Sequence, residues 1–178
     1  MLIYGHKLIK TPKFYWVKND EIKPNAINCF VYDEKLIEKA KNTGAEFAIL
    51  AQNADEILLA NALSAKFILI DSENLLKNKA KNTQKTNANS AKKTNENLNA
   101  NLVAKASTNL NVNSAKAGAN LNANLTKKAG AKLAKKASKM AEFYLFDSKI
   151  LLITNSLDKL KKAYKFGVDG VIVKECIK

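Results

Sequence analysis

Asp33, Gln52, Asn53, Asp71, Asn155, Lys174 and Glu175 share one circumstance: each follows closely on a short apolar run. Lys174 with Asp33 or Asp71 is the set that could do chemistry. The lysine would hold a phosphate or act as a base, and the carboxylate would be its acid–base partner on a small phosphate-containing metabolite. Gln52, Asn53, Asn155 and Glu175 would add ligand contacts. The same residue types have a quieter use, because Asp, Asn and Ser ahead of a helix accept hydrogen bonds from its unpaired amides. Asp33, and Ser72 with Asp71 beside it, read well as caps of that kind. Both uses stay open at the level of sequence.

Other reactive side chains narrow the field. His6 is the only histidine, which excludes a histidine-based metal site, and the neighbouring Tyr4 and Gly5 point to a turn. Cys29 and Cys176 are the only cysteines. Lacking CxxC spacing, they indicate a reducing compartment and no zinc. Cys29 lies within an apolar run and is expected to be a buried thiol with no activating cation. Phe14, Tyr15 and Trp16 form the one aromatic cluster, expected to pack an N-terminal arm onto a sheet. No Walker loop, GxGxxG, GxSxG or HExxH occurs. No cofactor and no metal are expected.

The formal charge of +14 is unevenly placed. Lys77–Lys139 holds 14 lysines and one acid, Glu96, whereas the rest of the chain has 16 lysines against 15 acids. Within that window, residues 78–131 are of low complexity, and residues 87–102 are nearly copied by residues 111–125. Apolar positions there are too sparse to offset the roughly 1–2 kcal/mol per residue that ordering a backbone costs. A long, mostly disordered, lysine-rich insertion is therefore expected. Lysines that release counterions allow non-specific nucleic-acid binding through it. With no aromatic for base stacking and no arginine anywhere in the chain, sequence-specific binding is not expected.

The elements that would position the candidate residues repeat one pattern, a helix ending at a small residue and then an apolar strand. It occurs at Gly44, Ser64 and Gly167, each placed where a left-handed backbone closes a helix. Runs ending at Leu50, Ile70 and Val173 follow, and 26–32 and 150–154 make five strands. Helices are expected over 34–41, 54–63 and 157–166. A fourth would begin near Ser72 with Leu75 and Leu76 and resume near Lys132. Strands without polar alternation, separated by helices, imply a parallel sheet covered on both faces. The fold class is α/β: about five βα units in an open, mostly parallel sheet, flavodoxin-like or a partial β/α barrel. Residues 1–77 and 132–178 would form its single domain. The first residues lack the apolar core of a secretory signal, and no run approaches the ~20 apolar residues of a membrane helix. A cytoplasmic protein without membrane contact is expected.

Gly167-Val-Asp-Gly-Val-Ile-Val173 resembles the last strands of phosphate-binding β/α barrels such as the tryptophan synthase α subunit and thiamine phosphate synthase. In those families a Gly-Ser pair follows and holds the phosphate through its backbone amides; here Lys174 and Glu175 stand in its place. The chain without its insertion is also similar to a small uncharacterised α/β protein family of epsilon-class proteobacteria. Leu2-Ile-Tyr-Gly-His-Lys-Leu-Ile9, Ala60-Asn-Ala-Leu-Ser-Ala-Lys66, Phe143-Tyr-Leu-Phe-Asp147 and Gly167-Val-Asp-Gly-Val171 carry that likeness. It implies the same fold and brings no activity. The function expected is a non-enzymatic or degenerate domain binding a small molecule or protein partner at its strand ends. A phosphate-metabolite enzyme and a polyanion binder are the alternatives.

Overall fold

The computed structural model describes residues 1–76 and 115–178, and for 115–129 the backbone alone. Seven strands form one sheet: β1 (Leu2–Tyr4), β2 (Phe14–Trp16), β3 (Ile27–Val31), β4 (Phe47–Leu50), β5 (Phe67–Ile70), β6 (Lys149–Thr154) and β7 (Gly170–Val173). Four helices accompany it: α1 (Glu34–Asn42), α2 (Ala54–Ala62), α3 (Ala115–Tyr144) and α4 (Leu160–Phe166), the last entered through a 3-10 turn at Leu157–Lys159. All pairs are parallel, in the order β1-β7-β6-β5-β4-β3-β2. The α/β class and the parallel sheet are as the sequence pattern implies.

The sheet is curled. β1 and β2 stand at opposite ends of the strand order, yet the rings of Tyr4 and Phe14 are 5.4 Å apart. Phe67 of β5 meets both, at 5.8 and 5.7 Å. Alternation along each strand sends side chains to two separate clusters. Phe14, Trp16, Ile27, Cys29, Val31, Leu50, Phe67, Leu69, Leu151, Ile153 and Ile172 fill the enclosed side. Phe30, Ile49, Ile68, Ile70, Ile150, Leu152 and Val171 face the helices. The enclosed side is a packed core.

Two strands go beyond the five expected. Phe14–Trp16 is a strand in its own right, and its outer edge is paired by residues near the last strand. The Trp16 amide donates to the Lys178 carbonyl at 2.7 Å, and the Lys178 amide to the Phe14 carbonyl at 3.2 Å. The pattern of three residues was too short to read as a strand without those distant partners. The turn geometry was legible: Gly44, Ser64 and Gly167 all have φ between 63 and 71°.

The fourth helix differs from expectation in two ways. Ser72–Leu76 is a turn, held by Asp71, whose carboxylate accepts from the amides of Glu73, Leu75 and Leu76. Leu76 is 1% exposed and packs into the enclosed cluster. Moreover, α3 begins at Ala115, inside the 78–131 stretch expected to be mostly disordered. Alanine and lysine propagate a helix well once a packed turn has nucleated it. Residues 78–114 of that stretch, with most of its internal copy, lie outside the described residues.

Candidate functional site

The strand-end residues are mostly engaged by backbone. Asp33 caps α1, its Oδ1 accepting from the amides of Lys35 at 3.0 Å and Leu36 at 3.2 Å. Asn53 caps α2 in a reciprocal box. Its Oδ1 accepts from the Glu56 amide at 2.9 Å, while the Glu56 carboxylate accepts from Asn53 Nδ2 and the Gln52 amide at 2.7 Å each. Asp71 braces its turn as described, by contacts of 2.7 to 3.2 Å. Lys174 and Glu175 enter a 3-10 turn after β7, and Asn155 follows β6 in the neighbouring position. Lys174 and the two aspartates stand on different strands: β6 separates β7 from β5, and β4 separates β5 from β3.

The motif behind the barrel resemblance has structural work of its own. Gly167 is left-handed at the end of α4. At Gly170 a Cβ would come within 2.3 Å of the Leu2 carbonyl, so only glycine lets β1 pair there. Asp169 accepts from the Ile150 amide at 2.8 Å. His6 accepts from the Leu8 amide through Nδ1, the turn role expected of it. The Cys29 thiol is buried and donates to the Ile27 carbonyl. Burial, and then the charge of Glu175, raise the Cys176 thiol above its ordinary value. Among the described residues no group of three or more His, Cys, Asp or Glu could hold a metal, and no helix is long and apolar enough to cross a membrane.

Charge gathers elsewhere, in a groove of about 450 Å³ between the turn after β5, α3 and α4. Lys132 and Lys135 line it from α3, Lys162 and Lys165 from α4, with Phe166 and Glu73 beside them. Each lysine pair is spaced i, i+3, which puts both members on one helix face. The opposite faces bury Ala134, Ala137 and Ala163, small residues that bring both helices close to the sheet. Gly130 fixes the other wall: a Cβ there would lie 2.5 Å from the Ser72 backbone.

Glu73 is the acid of this groove. Its Oε2 accepts from Lys159 Nζ at 2.6 Å and its Oε1 from Lys162 Nζ at 3.4 Å, with the side chain 13% exposed. Burial by itself would raise its carboxyl pKa; the hydrogen bonds and charges of Lys159 and Lys162 outweigh burial and lower it. A lowered folded-state pKa means that Glu73 contributes stability above its unfolded pKa and loses it as pH falls through the lower, folded one. Sequence reading missed this groove, because it assigned Lys132 and Lys135 to a charge run. The i, i+3 pairs were a visible signal, but their convergence on Glu73 depends on three elements meeting.

Two further hollows lie at the N-terminal ends of the strands, around Asp147, Ser148 and Lys149. In parallel β/α folds that end serves stability more than ligand binding. No protein-family model matches the chain, and no curated protein matches it.

Proposed function

We propose that this chain is a non-enzymatic α/β domain that binds an anionic ligand in the lysine-lined groove beyond the C-terminal end of β5. The observation that carries this reading is the gathering of Lys132, Lys135, Lys162 and Lys165 around a groove whose volume suits a small molecule. The groove lies on the helix layer and reaches the turn that follows β5. The alternative of a phosphate-metabolite enzyme built on Lys174 with Asp33 or Asp71 has less support. Both carboxylates already serve as backbone caps, accepting from the amides of the helix or turn that follows them, and they stand on different strands from Lys174. Polyanion binding through residues 78–131 rests on charge alone. A cytoplasmic setting and kinship with the epsilon-proteobacterial family belong to the same reading.

A ligand that binds only the folded chain stabilises it by mass action, by about 2.7 kcal/mol at a hundred times its Kd. Thermal unfolding of the full chain with a panel of anionic metabolites should therefore find compounds that raise Tm. The variant carrying Lys132→Gln, Lys135→Gln and Lys165→Gln should lose that rise while keeping the lysine-rich segment. Equal shifts in both proteins would remove the groove from consideration.

A further inference from the structure

The groove already contains a substitute for an anion. Glu73 lies between Lys159 and Lys162, while Lys132, Lys135 and Lys165 line the same space, and Glu73 is the one carboxylate among the residues that line it. Resting on the reading of the groove as an anion site, we propose that its ligand is a chain of two or more linked phosphates. We further propose that Glu73 is a built-in competitor which that chain displaces.

Charge placement argues for a chain. Residues three apart on a helix are separated by about 4.5 Å along its axis. The lysines on α3 and α4 therefore form one pair on each wall of the groove, and linked phosphates have the charge and length to meet both pairs at once. Lysine is a compact point charge without the planar fork of arginine, so it responds to charge density and leaves the rest of the ligand unread. Free polyphosphate and the tail of a nucleoside triphosphate present that shared chemistry equally.

The displacement follows from how the turn is held. Asp71 fixes the backbone from Glu73 to Leu76, and Leu76 is anchored in the enclosed core. Glu73 can therefore swing its side chain away without the turn unfolding. While it remains, its negative charge repels an incoming phosphate and holds two of the lysines. This site lies on the helix layer, apart from the turn after β7 where Lys174 and Glu175 stand.

Calorimetric titration of the full chain at fixed ionic strength tests both parts, using orthophosphate, tripolyphosphate and ATP as probes. Tripolyphosphate should bind at least about tenfold more tightly than orthophosphate, and ATP should follow tripolyphosphate. Glu73→Gln should tighten tripolyphosphate binding at least about fivefold, the lower end of ordinary coupling between two ligands. In the wild-type protein, saturation with tripolyphosphate should return the Glu73 carboxyl titration, followed by its carbon-13 shift, toward the ordinary carboxylate range. If the triple lysine variant binds tripolyphosphate as well as wild type, the groove itself is wrong. If that variant loses binding but Glu73→Gln gains none, the groove stands and the competitor falls. Equal affinity for orthophosphate overturns the chain. Should Glu73→Gln not fold, an unmoved Glu73 titration in the saturated wild type overturns the displacement.

Discussion

The Oγ1 of Thr154 is a buried side-chain oxygen with no hydrogen-bond partner among the described residues, and the residue is 2% exposed. Thr154 ends β6 in phase with Ile150 and Leu152, so its side chain belongs to the layer between sheet and helices. A buried hydroxyl left unpaired costs about 1–3 kcal/mol. Thr154→Val keeps the branched shape and removes that cost, so urea unfolding should show a gain of about 1 kcal/mol; a loss of stability would mean that the hydroxyl has a partner in solution. At this scale the sequence was partly legible. Asp33 was readable as a cap because a cap is a local event, decided by the next three residues, and Asn53, expected among the ligand contacts, proves to be one as well. Asn28 was not: it is fully buried, and its amide donates to the carbonyls of Lys23, Ala26 and Glu46, the last of them 18 residues away. Nothing near position 28 announces such partners.

Helix ends show where local patterns do suffice. Gly44 and Ser64 both close helices at φ 63°. Around Gly44 a Cβ would meet nothing within 4 Å, so Gly44→Ala isolates the backbone penalty. It should lower stability by about 1–2 kcal/mol, the cost of a left-handed conformation for a residue with a Cβ. Ser64→Gly relieves the same strain and should gain about 0.5–1 kcal/mol, part of the benefit being offset by the more flexible unfolded chain. Parallel measurements by chemical denaturation, with m unchanged, check both; equal effects in the same direction would contradict the backbone argument. β2 illustrates the opposite case. A three-residue strand has too little pattern of its own, and although β3 pairs one of its edges, the segment on its outer edge lies some 160 residues further along. The start of α3 was likewise hidden, since low complexity and good helix propensity look alike when alanine and lysine dominate.

For the molecule as a whole, the lysine-rich stretch joins two sites that already touch, the Ser72 turn and α3 at Gly130. From Gly130 back to Ala115, α3 extends about 22 Å. Ten extended residues span about 33 Å, enough to return from Leu76 to Ala115. Deleting residues 78–104 should therefore leave one cooperative thermal transition, with stability unchanged or raised by up to about 1 kcal/mol from the shorter loop. Calorimetry decides it: a broadened transition or a large loss of enthalpy would show that the deleted residues belong to the cooperative unit. The charge balance set the lysine-rich stretch apart in the sequence, whereas the groove beside α3 became visible only with the helices in place.

The seam at β2 also sets a schedule for biosynthesis. Ile177 and Lys178, which complete the outer edge of Phe14 and Trp16, are made some 160 residues after them. At about 5–20 residues per second, the nascent chain carries that unpaired aromatic edge for roughly 8–30 s. Leu2–Tyr4 waits almost as long for Gly170–Ile172. The outer edge of β2 and the whole of β1 are thus sheltered late, and the only tryptophan of the chain, Trp16, lies at the place where closure occurs.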